Sequence, residues 1–274
     1  MMKVLVTGGA GFVGSHVVDF LVDKEYEVVI IDNLSFGKRE YINPKAELYV
    51  RDINSDLNDV FEREKPDCVI HAAAQTQLRS SLEDPLGDAK INVLGTINIL
   101  ENCRKHGVKK IIYMSTGGAR YGEPEYLPVD EKHQLSPVSP YGISKHTAEH
   151  YVWMYNQLHG IDYLIFCFGN VYGPRDIPEN KRVIPLFINK MLRGESPIVF
   201  GDGKQTRDFI YVKDLAKFVV DSIDKNPRSK LFNLANGKQV SVIEIMENLK
   251  EIIGFEKEFI HSDSVKGEIR DIVL

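Results

Sequence analysis

Apolar positions along this chain fall into short continuous runs separated by stretches with helical spacing, and the alternation begins at the first residues. Lys3–Thr7 predicts a strand, Gly14–Lys24 a helix, Glu27–Asp32 a strand and Leu48–Asp52 another. Asn54–Glu64 predicts a short helix, and Cys68–Ala72 a strand that ends in His71-Ala72-Ala73-Ala74. Asp88–His106 carries Ile91, Leu94, Ile97 and Leu100 at helical spacing; Lys110–Met114 reads as a strand, Ser144–Leu158 as a helix and Tyr163–Cys167 as a strand. Repeated strand–helix–strand units with short loops imply the α/β class, a Rossmann-type doubly wound parallel sheet covered on both faces. After residue 172 the pattern loosens, with helices expected at Ile184–Arg193, Asp214–Asp224 and Ser241–Ile253. The expected organisation is therefore a dinucleotide-binding domain over residues 1–172 that carries the chemistry. A smaller C-terminal substrate lobe over 173–274 is interleaved with it.

The first strand runs into Thr7-Gly8-Gly9-Ala10-Gly11-Phe12-Val13-Gly14, and a helix follows at once. Glycines remove side chains, so backbone can approach a pyrophosphate, and the helix start offers unpaired N–H groups and the positive end of its dipole. Gly8, Gly11, Phe12 and Val13 are the candidate cradle. Asp32, followed by Asn33, ends the second strand where an adenosine ribose would lie. A carboxylate there accepts from both ribose hydroxyls and repels a 2′-phosphate, which favours NAD over NADP.

A second constellation is Tyr141-Gly142-Ile143-Ser144-Lys145. Tyr141 and Lys145 are four apart and share one face of a helix. An ammonium beside a phenol favours phenolate and draws the tyrosine towards neutral pH, which makes Tyr141 a usable general base or acid. Lys145 can also hold the nicotinamide ribose. The strand before this helix ends in Ser115-Thr116, and a hydroxyl there could share a hydrogen bond with Tyr141 and a substrate oxygen. The alternative is that Ser115 and Thr116 are only turn residues.

Bulk composition removes several classes. The net charge of −5 leaves no basic footprint for nucleic acid. No apolar stretch reaches the length of a bilayer span, so no membrane partner is expected. The three cysteines, Cys68, Cys103 and Cys167, have no CxxC spacing and suit a reducing cytoplasm. The chain passes directly into a core strand, which leaves no room for a signal peptide. His71 has no second ligand at metal-binding spacing, so no metal is expected.

These residues resemble the NAD-dependent sugar-nucleotide epimerase/dehydratase family of extended short-chain dehydrogenases/reductases, nearest to its UDP-glucose 4-epimerase members. The likeness includes TGGAGFVG, YGISK, Gly169-Asn170-Val171-Tyr172-Gly173-Pro174-Arg175 and the run from Gly201 to Val212. It implies NAD as cofactor, with Asp52 and Ile53 at the adenine, Ala72, Ala73 and Ala74 beside the pyrophosphate, and Asn92 on the following helix. It also implies a UDP-sugar substrate. Asn170 would contact its diphosphate or sugar, Arg207 and Arg270 would clamp the diphosphate, and Val199 and Phe200 would pack the base. Tyr141 would take the proton of the sugar 4-hydroxyl while C4 loses hydride, giving a transient 4-keto sugar and epimerisation at C4. Family members pair the helices Asp88–His106 and Ser144–Leu158 into a homodimer; Tyr151, Trp153 and Tyr155 either face outward there or serve the internal core.

Departures from the family narrow the chemistry. Dehydratases carry Asp-Glu after the catalytic threonine, where this chain has Gly117 and Gly118, and the glutamate of the decarboxylases is also missing. Either Ser115 or Thr116 supplies the hydroxyl, with Thr116 favoured. The family's arginine three residues before Asn170 is Cys167 here. Relatives are expected to continue by further helical structure beyond Leu274. The competing readings are a net nucleotide-sugar dehydrogenase or reductase, an epimerase of an N-acetylated or uronate UDP-sugar, and a non-catalytic NAD-binding protein.

Overall fold

The computed structural model describes residues 2–263 and 269–274. From the start of the chain come β1 (Lys3–Thr7), α1 (Phe12–Asp23), β2 (Glu27–Asp32), β3 (Glu47–Val50), α2 (Asn58–Glu64) and β4 (Cys68–His71). Then follow α3 (Leu78–Glu83), α4 (Pro85–Ala89), α5 (Gly95–His106), β5 (Lys110–Thr116), α6 (Gly118–Tyr121), α7 (Pro140–His159) and β6 (Asp162–Phe168). The remainder holds β7 (Asn170–Tyr172), α8 (Val183–Leu192), β8 (Ile198–Phe200), β9 (Thr206–Arg207), β10 (Phe209–Tyr211), α9 (Val212–Asp221) and β11 (Leu231–Leu234). The last elements are β12 (Val240–Ser241), α10 (Val242–Ile253) and β13 (Ile260–Ser262).

Seven strands form one parallel sheet in the order β11-β6-β5-β4-β1-β2-β3. Successive side chains of each strand enter opposite layers, and both layers are apolar. Val4, Val6, Ile30 and Ile70 join α1 and α9 through Val18, Leu21, Leu215 and Val219. Leu5, Val29, Val69 and Tyr113 join α2, α5 and α7 through Phe61, Ile99, Leu100 and Val152. Continuous apolar strands are thus explained by burial on both sides. The strand order reverses between β1 and β4, and the crevice at their C-terminal ends is where a doubly wound sheet takes its ligand.

Several boundaries differ from those the sequence predicts, each for a local reason. α1 starts at Phe12, two residues before the predicted Gly14, because Gly11 serves as an N-cap with extended backbone. α7 starts at Pro140 rather than Ser144; Ser139 caps it by accepting from Gly142 N at 3.1 Å, and Pro140 suits the first turn. The predicted helix Asp88–His106 is divided into α4, a π-helical turn Lys90–Leu94 and α5. α2 is shorter than Asn54–Glu64, since the Asp52 carboxylate turns the backbone by accepting from Asn54 N at 2.8 Å.

Residues beyond 172 return to the large sheet: β11 pairs with β6, and α9 lies against α1. The smaller lobe has its own core of Phe187, Met191, Val199, Val242 and Met246. Its helix α10 is fastened by a capping box between Ser241 and Glu244. Among the described residues no helix is long and apolar enough to cross a membrane.

Gly14→Ala would put a methyl 2.1 Å from the Gly8 carbonyl oxygen, against backbone that cannot give way. The expected outcome in thermal or urea unfolding is a loss of about 1–3 kcal/mol or more. Gly160→Ala, at φ 71° with open space around it, should cost only about 1 kcal/mol.

Candidate active site

The crevice is made by backbone packed on backbone. Gly8 has φ 71°, and a Cβ there would meet Ala73 N at 2.7 Å. The glycine turn therefore lies directly on the chain leaving β4, with Ala72 and Ala73 beside it. α1 begins without a side-chain cap, which leaves the first-turn N–H groups to a ligand. Asp32 is buried and accepts from Ala10 N at 3.0 Å and Leu34 N at 2.8 Å. Burial pushes its carboxyl above the ordinary value, and those two N–H groups oppose the rise. Asn33 donates to Asp52 Oδ2 at 2.8 Å, while Ile53 is buried against the missing side chain of Gly95. A side-chain-free cradle at a helix start, with a carboxylate at the next strand end, fits a dinucleotide.

Under the cradle a string of side chains ties β1, β4 and α5 together. Thr96 gives its only hydroxyl proton to the Asn92 carbonyl oxygen at 2.7 Å, so it accepts from His71 Nε2 at 3.0 Å. His71 Nδ1 is then the acceptor for Thr7 Oγ1 at 2.6 Å, and Thr7 in turn accepts from Ala73 N at 3.2 Å. The string closes only with a neutral imidazole, and burial holds His71 down to about 3.

Tyr141 and Lys145 lie one turn apart on α7, facing the end of β5. The Lys145 Nζ donates to the Met114 carbonyl oxygen at 2.7 Å and stands 4.1 Å from the Tyr113 ring centroid. Burial lowers Lys145 to about 7, against the pull of Glu149. Desolvation raises Tyr141; a hydrogen bond with the Thr116 side chain and the charge of Arg182 oppose it. The Lys145 Nζ, expected beside the phenol, is held at the Met114 carbonyl oxygen.

The two hydroxyls at the end of β5 part company. Ser115 donates to Glu149 Oε1 at 2.5 Å and is buried. Its hydroxyl is turned into the protein, so the pairing of Ser115 with the site does not hold. Thr116 is the one beside Tyr141. Glu149 also receives His146 Nδ1 at 2.9 Å and Arg120 Nη2 at 3.3 Å, and Arg120 Nη1 lies 2.8 Å from Cys167 Sγ. A guanidinium, that of Arg120 on α6, thus lies between Cys167 and Glu149. Asn92, expected at the cofactor, is committed to protein: its Oδ1 accepts from Gln75 N at 2.9 Å and its Nδ2 reaches Gln75 O and Ser144 Oγ at 3.1 Å. These bonds hold the π-helical turn against α7.

Of the residues expected at substrate, Val199 is fully buried in the lobe core, so its side chain cannot line a pocket; Phe200 is exposed. The Arg79 guanidinium lies 5.3 Å from the Phe200 ring, bridging the two parts of the molecule. Arg207 and Arg270 are brought together: Arg207 Nη1 donates to Thr206 O at 2.8 Å and to Arg270 O at 3.0 Å, while Arg270 pairs with Asp202 at 3.1 Å. Asn170 is exposed, its backbone N donating to Asp208 O at 2.7 Å. Asp208, next to Arg207, is buried and accepts from Asn236 N, Gly237 N and Leu274 N. Leu274 in turn covers Gly117, where a Cβ would meet its Cδ1 at 2.2 Å.

The model of the NAD dependent epimerase/dehydratase family matches residues 4–235. The chain belongs to this family. A Methanocaldococcus jannaschii protein with a provisional UDP-glucose 4-epimerase name is 50% identical over 273 residues, 99% of this chain and 89% of that protein. The structure of the Thermotoga maritima UDP-glucose 4-epimerase with UDP-glucose is 40% identical, with a TM-score of 0.97 over 100% of this chain and 89% of that one. The Thermus thermophilus UDP-glucose 4-epimerase complex with NAD is 36% identical, with a TM-score of 0.95 over 100% of this chain and 90% of that one. Family membership makes NAD the cofactor and the chain an epimerase-type isomerase.

His71 supplies a pH test. Unfolded, its imidazole titrates near 6.5; folded, near about 3. Between those values the unfolded chain binds the extra proton, so stability rises with pH and falls by about 1.4 kcal/mol per unit on acidification below about 6.5. Melting temperature should therefore drop from pH 7 to pH 5, and His71→Gln should flatten that drop.

Proposed function

We propose that this chain epimerises UDP-sugars at C4 with NAD as its resident cofactor, interconverting UDP-glucose and UDP-galactose. The observation that carries the reading is Thr116 and Tyr141 together at the strand ends beside the glycine cradle, with no acid after Thr116. The Asp-Glu pair that elimination of water requires is absent: Gly117 and Gly118 follow Thr116, and Leu274 packs over Gly117. Bound NAD would supply a nicotinamide that accepts a hydride from C4 and gives it back.

Gly8, Gly11, Phe12 and Val13 would hold the pyrophosphate of the cofactor through backbone N–H groups, and Asp32 would take the adenosine ribose hydroxyls. Tyr141 removes the proton of the 4-hydroxyl and returns it, and Thr116 orients both oxygens through its own hydroxyl. Lys145, pushed to about 7 by burial, can hold a ribose hydroxyl or pass a proton. Arg207 and Arg270, with Asn170, would anchor the nucleotide diphosphate, so that the hexose alone turns over between the two hydride transfers. Phe200 offers its ring to the base.

The reading extends to assembly. Leu94, Ile143 and Trp153 are exposed next to α5 and along α7, which supports a homodimer joined by these helices. The three buried, unpaired cysteines suit a cytoplasmic location.

Proton NMR of UDP-galactose with the purified protein and NAD tests the activity. The UDP-glucose anomeric signal should grow to a fixed ratio with no accumulation of reduced nicotinamide; accumulation would make the enzyme a dehydrogenase. Tyr141→Phe should lower kcat by about 10²–10⁴, and Thr116→Val by about 10–10². No conversion of UDP-galactose or its N-acetylated and uronate analogues would sink the epimerase reading. Sedimentation velocity should give a dimer that Trp153→Glu dissociates; a wild-type monomer would refute the assembly.

A further inference from the structure

The carboxylate of Glu149 holds both ends of the short turn from β5 into α6, the turn that carries Thr116. Going in, Ser115 Oγ donates to Glu149 Oε1 at 2.5 Å. Coming out, Arg120 Nη2 lies 3.3 Å from Glu149 Oε2. Between these two holds the chain reads Thr116-Gly117-Gly118-Ala119, and the paired glycines give that stretch a backbone freedom that other residues would not. Arg120 is kept at the carboxylate by a second contact, Nη1 to Cys167 Sγ on β6 at 2.8 Å. Ser115, Arg120 and Glu149 are all buried, so their contacts act at low local dielectric, where they are strong.

Glu149 is also the last rung of a ladder. Tyr141, Lys145 and Glu149 follow one another at intervals of four along α7 and share a face. They meet three consecutive residues of β5: Lys145 Nζ at the Met114 carbonyl oxygen, Glu149 at Ser115 and Tyr141 at Thr116. Successive side chains of a strand point to opposite sides, so a twist that turned Ser115 would swing Thr116 away from Tyr141. Other holds on the turn act on its main chain. Gly117 N donates to Phe168 O at 2.9 Å, and Ala119 O lies so close to α7 that a Cβ on Gly142 would come within 2.3 Å of it. These place the backbone, and the Glu149 contacts fix the side chains at its two ends.

We propose that Glu149, acting through Ser115 and Arg120, is a positioning residue for the epimerase reaction: it holds the Thr116 turn in register with Tyr141. An error in that register lowers rate rather than affinity, because the threonine hydroxyl is needed where the proton moves while the nucleotide is anchored on other elements. The proposal rests on the epimerase reading for its kinetic arm alone.

The test uses the full chain with NAD and three variants: Ser115→Ala, Arg120→Met with Glu149→Leu, and Arg120→Met with Glu149→Gln. Exchanging both members of a buried ion pair for apolar groups of similar size is close to neutral for folding, whereas removing one strands the other. The Arg120→Met, Glu149→Leu protein should therefore melt within a few degrees of wild type. Its kcat on UDP-galactose should nevertheless fall about 5–30-fold with KM within about twofold. Glu149→Gln beside Arg120→Met keeps an acceptor for Ser115 and should restore part of that loss. Ser115→Ala, the mildest change, should lower kcat about 2–5-fold. Amide hydrogen exchange over residues 115–121 reads the turn without turnover, and should quicken about three- to tenfold in the Arg120→Met, Glu149→Leu protein. A wild-type kcat in that protein, once folded, would make the pair a fold element only and overturn the proposal, as would unchanged exchange across the turn. If the double variants do not fold, Ser115→Ala decides, and wild-type kcat and exchange there would overturn it equally. A wild-type enzyme inactive on UDP-sugars, with exchange still quickened in the variants, would refute the epimerase reading and leave the hold of Glu149 on the turn standing.

Discussion

The structure depends on one contact, the approach of the Gly8 turn to the backbone after β4. Gly8 and Gly14 lie against main-chain atoms at distances no Cβ tolerates, and this closeness fixes where α1 starts and where Ala72 and Ala73 run. It also defines the switch point between β1 and β4, the place where a parallel sheet opens to a ligand. The Thr7–His71–Thr96 string reinforces the contact from below. Because it needs a neutral imidazole, the cradle is tied to a pH range as well as to a shape.

A second constraint sits behind the chemistry. Arg120 and Glu149 form an ion pair with side chains only 4% and 5% exposed, a costly arrangement unless every lone pair is used. Ser115, His146 and Cys167 use those of Glu149, while the buried Nε of Arg120 has no hydrogen-bond partner. The result joins the end of β5 to α7 one turn beyond Lys145, so Thr116, Tyr141 and Lys145 ride on a single braced unit. Ser115 is consumed by this brace and Thr116 is left for the site. Two adjacent hydroxyls are separated by the alternation of a strand: one enters the protein, the other faces the crevice.

The smaller lobe then acts as more than a cover. Asp208 accepts backbone N–H groups from Asn236, Gly237 and Leu274, which binds three distant stretches of chain at the rim of the site. Arg207, Arg270, Phe200 and Arg182 all arrive from this side.

Much of this was legible in the residues alone. Apolar runs with short loops specify a parallel sheet because burial on both faces leaves no other pattern. The spacing of Gly8, Gly11, Gly14 and Asp32 names the cofactor, and that of Tyr141 and Lys145 puts both on one helix face, since each depends on local geometry. What could not be read was anything set by contact between distant segments. The seventh strand, β11, is too short and too mixed to announce itself, and its place is decided by the free edge of β6. Val199 and Asn92 looked like ligand contacts but are committed to packing and to a π-helical turn. Arg120 and Arg182 looked like ordinary charges, and only the fold brings one to Glu149 and the other to Phe12 and Asp176. By itself, then, the sequence determined the sheet, the cradle and the acid–base pair, because short-range geometry suffices for them. Which hydroxyl turns into the protein, which cations pair with Glu149 and Asp176 and how the later residues rejoin the sheet were decided by tertiary structure, because charge and burial depend on neighbours that are close in space and far apart along the chain.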